Sequence, residues 1–85
     1  MGARRLASRV ADLRAVATLA DAIHLPGRLH ALVGNRAGQF SLDLDHPFRL
    51  LFVPDHDPLP ELATGGLDRA AVTHVRLVGI VNTHE

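Results

Sequence analysis

The sequence of 85 residues contains no cysteine, lysine, tyrosine or tryptophan. Without cysteine, the chain has no disulfide, no thiol nucleophile and no cysteine-ligated zinc site. Without lysine, it lacks the amine of a Schiff base and the phosphate-binding lysine of a Walker motif. Serine occurs only as Ser8 and Ser41. The side chains that remain for chemistry are nine arginines, six histidines and nine carboxylates.

Long apolar runs are also missing. No run approaches the roughly 18 residues that a membrane span needs, and we expect no signal peptide. We therefore expect a cytoplasmic protein with no membrane partner. Hydrophobic residues make up 47% of the chain and charged residues 21%, which is typical of a globular protein. The length suffices for one small domain, which we assign to residues 1–85.

The net charge of zero conceals an asymmetry along the chain. Residues 1–36 carry six arginines against two aspartates, a net charge of +4, whereas residues 37–85 carry three arginines against seven carboxylates, a net charge of −4. A basic half can hold an anion such as RNA while the acidic half lies away from it. The alternative is that the two halves neutralise each other within one fold.

Hydrophobic periodicity predicts one helix followed by a sheet. Apolar residues recur every three or four positions over residues 3–22, which predicts an amphipathic helix that ends before Pro26 and Gly27. Strands are predicted over residues 29–33, 39–45, 48–53 and 73–81. Residues 54–71 form a long loop with a helical turn at 67–71. The expected fold is α+β, with a small antiparallel sheet packed against one or two helices.

The alternation of side chains along a strand assigns each residue to a face. We expect the core face to carry Phe40, Leu42, Leu44, Phe48, Leu50 and Phe52, with Val75, Leu77, Gly79 and Val81 of the last strand. The opposite face is expected to carry the polar residues Gln39, Ser41, Asp43, Asp45, Arg49, His74, Arg76, Asn82 and His84. Leu51, Val53, Val78 and Ile80 are expected there as well. An exposed mixed face of this kind usually meets a partner.

The stretch from Leu29 to Phe52, LHALVGNRAGQFSLDLDHPFRLLF, resembles the "LH.LKGDRKGQFSLDLDHPYRLIF" stretch of the HigB-type branch of the RelE/ParE toxin superfamily. The later segments GGLD at 65–68, VTHVR at 72–76 and GI at 79–80 resemble the same branch in the same order. The resemblance covers residues 26–85 well and residues 3–25 loosely. Members of this family usually begin with a further strand and helix, which we expect to be missing here.

This resemblance implies a RelE/ParE-like fold and a toxin of a type II toxin–antitoxin system. It implies a ribosome-dependent mRNA endonuclease (an mRNA interferase) that binds a helix-turn-helix antitoxin and uses no metal or organic cofactor. A missing first strand exposes a sheet edge, through which a homodimer can form. Two alternatives stay open. One is a catalytically impaired module that still binds the antitoxin, and the other is a gyrase-inhibiting toxin of the ParE type.

Metal-free RNA cleavage uses the 2′-hydroxyl of the RNA as the nucleophile. The protein supplies a base, an acid for the leaving 5′-oxygen and positive charge at the phosphorane. Histidine exchanges protons near neutral pH, and arginine holds phosphate oxygens. The resemblance assigns the catalytic candidates to His30, Arg36, Arg49 and His84. Arg9, Arg28 and Arg76 are the candidates for RNA binding.

Several of these residues also have purely structural interpretations. Arg49 and Arg76 can pair with Asp43 and Asp45 across the sheet, and exposed pairs contribute only about 0–1 kcal/mol each. Asp43 and Asp45 are spaced like an acid/base pair, but we favour an arginine partner for Asp43 and a turn cap for Asp45. His30 can bond to the backbone, and His84 lies where chains fray.

A metal site is not expected. Asp55, His56 and Asp57 form a triplet of metal-ligating residue types. Three adjacent residues do not easily converge on one ion, and prolines surround the triplet.

Overall fold

A computed structural model describes residues 2–82 of the chain. Its elements in order are helix α1 (Ala3–Ala15), a 3-10 helix (Leu19–His24), strand β1 (His30–Ala31), a 3-10 turn (Gly34–Arg36), strands β2 (Phe40–Asp43) and β3 (Phe48–Pro54), a 3-10 turn (Arg69–Ala71) and strand β4 (Val75–Asn82). The strands form one antiparallel sheet in the order β1-β2-β3-β4. The expected α+β class, with a small antiparallel sheet and one main helix, is confirmed.

The helix predicted over residues 3–22 is shorter than expected. It ends at Ala15, and the backbone is extended at Val16 and Thr18 before the 3-10 helix begins. Both residues are β-branched and adopt an extended backbone readily. The break turns Leu19 and Ala22 into the core, where they are 3% and 0% exposed. On a continuous helix, the apolar stripe would have included Ala17 instead, which is exposed.

The core lies between the sheet and the helical segments. Its buried cluster consists of Leu19, Ala22, Phe40, Leu42, Phe52 and Val72. The Phe40 and Phe52 rings are stacked with centroids 6.0 Å apart, as their cross-strand pairing requires. The Arg69 guanidinium lies 4.9 Å from the centroid of the Phe40 ring, so the turn before β4 covers this stack. The core face predicted for the hairpin is confirmed, with Phe48 only half-buried.

A β-bulge in β4 reverses the alternation of its side chains. Phe52 pairs with Leu77 and Leu51 pairs with Gly79, so Val78 is an extra residue. Beyond the bulge, Ile80 lies opposite Leu50 on the core face. The predicted core positions of Gly79 and Val81 are therefore wrong, and so are the polar-face positions of Ile80 and Asn82. A sequence pattern with a strict period of two does not reveal that a strand contains an inserted residue, so every face assignment after that residue is reversed.

The loop after β3 is fastened to the start of β4. The Nε2 atom of His56 accepts hydrogen bonds from the backbone N–H groups of Thr73 and His74, at 3.0 and 3.2 Å. The backbone N–H of Asp55 donates to the carbonyl of His74. His56 thus serves as a structural acceptor, and within residues 2–82 no three potential metal ligands converge. None of the helices in residues 2–82 has the length and hydrophobicity of a membrane span.

Candidate functional site

The face of the sheet opposite the core brings polar residues of three strands together. His30 of β1 lies opposite Ser41 of β2, and Asp43 of β2 lies opposite Arg49 of β3. Directly opposed residues project from the same face of an antiparallel pair. These four residues therefore lie on one side of the sheet, where the alternation of the sequence predicts Ser41, Asp43 and Arg49. The centre of this face is not exposed as expected, because Ser41 and Leu51 are 0% and 1% exposed.

Asp43 is the centre of this group. Arg28 donates to Asp43 Oδ2 from both Nε and Nη2, at 3.0 and 2.8 Å. On the other carboxylate oxygen, Oδ1, Arg49 Nε lies at 3.2 Å and His30 Nε2 at 3.9 Å. We call Arg28, His30, Asp43 and Arg49 the Asp43 cluster. With a neutral imidazole its net charge is +1, so the cluster attracts an anion even though it contains a carboxylate.

The turn before β1 places Arg28 in the cluster. Gly27 has a φ of 97° and Arg28 a φ of 49°, so both lie in the left-handed region, which costs a residue other than glycine roughly 1–2 kcal/mol. The carbonyl of Gly27 accepts a hydrogen bond from the backbone N–H of Asp43 at 2.6 Å. The turn is therefore held directly against the end of β2, and the Arg28 side chain reaches back to the Asp43 carboxylate.

Arg9 supports the cluster from beneath. Its side chain comes from α1 and is buried, with the residue 8% exposed. Its Nε donates to the backbone carbonyl of Asp43 at 3.1 Å, and its Nη1 donates to Asp12 at 3.3 Å. The sequence assigns Arg9 to RNA binding, but the structure directs its guanidinium into the protein, where it fixes α1 to β2.

Four polar side-chain atoms on this part of the sheet are buried and have no hydrogen-bond partner within residues 2–82. They are His30 Nε2, Gln39 Oε1, Ser41 Oγ and Asp43 Oδ1. Most buried polar atoms have a partner. His30 Nε2 would have to move only about 1 Å to reach hydrogen-bonding distance from Asp43 Oδ1. The cluster is thus poised to form another charge-assisted hydrogen bond when the imidazole carries a proton at Nε2.

A depression of about 220 Å³ opens beside the cluster. It is lined by Arg28, Asp43, His46, Pro47, Phe48 and Arg49. Two arginines at one depression match what a nucleic-acid backbone requires, since arginine contacts phosphate oxygens.

The remaining candidates lie elsewhere. Arg36 lies in the exposed turn that precedes β2, whereas Asp43 is the last residue of that strand. The two residues are therefore at different ends of β2. Arg76 pairs with Val53 and shares the face of Arg49, about 13 Å farther along the sheet at the usual rise per residue. Neither side chain makes a hydrogen bond or ion pair with another residue in the range 2–82. His84 lies outside the described residues.

Asp45 faces the helix rather than the cluster. Its carboxylate accepts a hydrogen bond from the backbone N–H of Gly2 at 3.2 Å and pairs with Arg5 at 3.1 Å. The Gly2 N–H and the Arg5 guanidinium hold the pKa of the Asp45 carboxyl below its ordinary value. The expected placement of Asp45 on the polar face is wrong, because β2 ends at Asp43 and alternation ends with it.

Comparisons of the chain with protein-family models, with curated proteins and with solved structures gave no match. The function is therefore inferred from the residues and from the geometry of the Asp43 cluster.

Proposed function

We propose that this chain is a toxin of the HigB-type branch of the RelE/ParE superfamily, and that it cuts messenger RNA on the ribosome. The observation that carries the proposal is the convergence of Arg28, His30 and Arg49 on one carboxylate, beside a depression of about 220 Å³. They come from two separate segments of the chain, the turn that leads into β1 with β1 itself, and strand β3, and the carboxylate they meet comes from a third, strand β2. The sequence resemblance between residues 29 and 52 supports the same assignment.

The proposed reaction needs no group beyond the RNA and the protein. The 2′-hydroxyl oxygen attacks the adjacent phosphorus while a base removes its proton, and the bond from phosphorus to the 5′-oxygen breaks while an acid protonates that oxygen. The products are a 2′,3′-cyclic phosphate and a 5′-hydroxyl. Arg28 and Arg49 stabilise the charge on the phosphorane oxygens. His30 exchanges a proton, either as the base or as the acid.

Asp43 has a positioning role in this proposal. Its carboxylate orients two guanidinium groups toward one point of the surface. Arg28 is mostly exposed, so its guanidinium can contact a phosphate without first leaving the protein interior. The proposed partners are messenger RNA on the ribosome and a helix-turn-helix antitoxin, and the proposed compartment is the cytoplasm.

One observation favours a second candidate function. Asp43 already accepts a hydrogen bond from Arg28 Nε and forms an ion pair with Arg49, and Arg36 lies beyond the other end of β2. A module with this arrangement can bind the antitoxin without cutting RNA. This second candidate predicts that the chain binds an antitoxin and that substitutions in the Asp43 cluster change no phenotype.

Expression in a bacterial host distinguishes these candidates. We expect growth arrest with transcripts cut in phase with codons, loss of both in Arg49→Ala and His30→Ala, and no change in Arg4→Ala, which removes an exposed arginine of α1. Absence of arrest in the wild type would contradict the toxin. Arrest without cut transcripts, together with inhibition of DNA supercoiling, would instead identify a gyrase inhibitor.

A further inference from the structure

Strand β4 is an unprotected edge of the sheet. β1 forms the opposite edge with two residues, whereas β4 has eight. Within residues 2–82, no backbone hydrogen bond from another element reaches the outer side of residues 75–81. Folded proteins usually protect such an edge with charges or prolines. Here Arg76 is the only charged residue, and Leu77, Val78 and Ile80 are 46%, 46% and 39% exposed.

The bulge gives β4 a face pattern that is nearly the same in both directions. Val75, Leu77, Ile80 and Asn82 lie on the core face, because their partners on β3 are Pro54, Phe52, Leu50 and Phe48. Arg76, Gly79 and Val81 lie on the opposite face. Consider a second copy of β4 that runs antiparallel to the first, with the two-fold axis between Val78 and Gly79. In this register, each core-face residue lies opposite a core-face residue of the second copy. Without the extra residue, the same register would oppose residues of different faces.

We propose that two copies of the chain pair through β4, antiparallel and with two-fold symmetry, and form one continuous eight-stranded sheet. The axis passes between Val78 and Gly79, so Leu77 lies opposite Ile80 of the second copy. Gly79 has open space where a Cβ would lie, and it therefore accommodates Val78 of the second copy. A strand edge needs another strand to satisfy its N–H and C=O groups, and this strand is complementary to itself.

The charges of the edge permit this pairing. Arg76 lies opposite Val81 of the second copy, and the two Arg76 residues are five positions apart along the paired strands. That separation is about 17 Å, which exceeds the Debye length of about 8 Å at physiological ionic strength. The one charged side chain of β4 therefore does not oppose its own copy.

The groove beside β4 provides the apolar contact that such a pairing needs. It lies between α1 and the start of β4 and has a volume of about 320 Å³. Val10, Leu13, Val16, Val75 and Leu77 supply most of its apolar lining. Ile80 of the second copy, opposite Leu77 on the core face, extends over this groove and removes apolar surface from water. The pairing is independent of the proposed RNA cleavage.

Sedimentation equilibrium of the purified chain over a range of concentrations tests this proposal. We expect the mass to rise to twice that of the monomer, with a melting temperature that rises with concentration. Val78→Lys brings two ammonium groups together near the axis, so we expect a monomer with an unchanged circular dichroism spectrum. Val33→Lys is the matched control, because Val33 is 84% exposed and lies away from β4.

A wild type that stays monomeric throughout would overturn the proposal. It would equally be overturned by a Val78→Lys variant that dimerises as tightly as the wild type, or by loss of the dimer in Val33→Lys. Each of these outcomes assigns the edge to another occupant or to solvent.

The register has its own test, because the chain contains no cysteine. Leu77→Cys and Ile80→Cys are purified separately, mixed and oxidised. Directly opposed residues have Cβ atoms about 4.5–5.5 Å apart, close to the separation that a disulfide bridges. We expect far more disulfide-linked dimer in the mixture than in either variant alone. Equal yields in all three samples would contradict the proposed register.

Discussion

At the scale of single residues, Asp43 connects several segments of the chain, namely α1, the turn before β1, and strand β3. Its backbone N–H and carbonyl bond to Gly27 and Arg9, and its carboxylate contacts Arg28 and Arg49. The alternation in the sequence predicts that Asp43 and Arg49 share a face and form a pair. It does not predict Arg28 as the closest partner, because that contact depends on a left-handed turn that a period of two does not encode.

Gly27 is the residue at which this turn is most constrained. A Cβ there would lie 3.0 Å from the carbonyl oxygen of Asp43 and 2.6 Å from Arg9 Nε, at a φ of 97°. Backbone strain alone costs about 1–2 kcal/mol, and the contact with a backbone oxygen adds to it. We therefore expect Gly27→Ala to lower the free energy of unfolding by about 2–4 kcal/mol, measured by urea denaturation.

Gly38→Ala is the control for this measurement. Gly38 also has a positive φ, 90°, but nothing lies within 4 Å of a Cβ at this position. We expect Gly38→Ala to lower the free energy of unfolding only by the cost of backbone strain, about 1–2 kcal/mol. Equal losses in the two variants would show that the contact between Gly27 and β2 does not constrain the turn.

Asp45 gives the fold a defined response to acid. Because the folded state lowers the pKa of this carboxyl, Asp45 stabilises the protein above the pKa of the unfolded chain, about 3.9. That contribution is lost as the pH falls through the lower folded value. We expect Asp45→Asn to lower the urea midpoint at neutral pH and to approach the wild type below about pH 4. Asp57→Asn, which changes an exposed loop residue, should show no such convergence.

At the scale of elements, the sequence predicts those parts in which a regular period continues without interruption. The hairpin from Phe40 to Pro54 agrees closely with the predicted strands, because apolar and polar residues alternate along β2 and the middle of β3 is apolar and buried. The end of α1 could not be predicted, because no glycine or proline stands at the point of change. The bulge at Val78 has Gly79 beside it, and a glycine inside a strand often marks a bulge, but a strict alternation of faces does not use that signal. Both are decided by how Leu19 and Ile80 reach the core face.

The attachment of the loop to β4 depends on one imidazole. His56 Nε2 accepts two backbone N–H bonds, which requires an unprotonated Nε2. We expect His56→Phe to lose about 0.5–1.5 kcal/mol of stability for each bond removed, with faster hydrogen exchange at the amides of Thr73 and His74. His56→Gln retains an acceptor oxygen and should recover part of the protection. Unchanged exchange in His56→Phe would show that the loop is held by other contacts.

At the scale of the whole molecule, the charge asymmetry of the sequence is partly neutralised by folding. Arg5 and Arg28 of the basic half pair with Asp45 and Asp43 of the acidic half. The composition offered two interpretations, neutralisation within the fold and a basic surface for an anion. These pairs support neutralisation in part, whereas Arg36 of the basic half stays exposed in the turn before β2. Which carboxylate meets which arginine follows from strand register and turn geometry, so composition alone could not decide it.

Two substitutions with the same change in net charge separate a local anion site from the overall field of the molecule. Asp43→Asn and Asp57→Asn each remove one negative charge, the first within the Asp43 cluster and the second on an exposed loop. If arginines freed at the cluster bind RNA phosphate, Asp43→Asn should bind a short single-stranded RNA more tightly. Its logarithmic salt dependence should steepen by about 0.7 for each additional phosphate contacted. We expect Asp57→Asn to bind like the wild type at every salt concentration. Equal strengthening in both variants would mean that net charge alone governs binding, and the Asp43 cluster would then lose its role as the phosphate site.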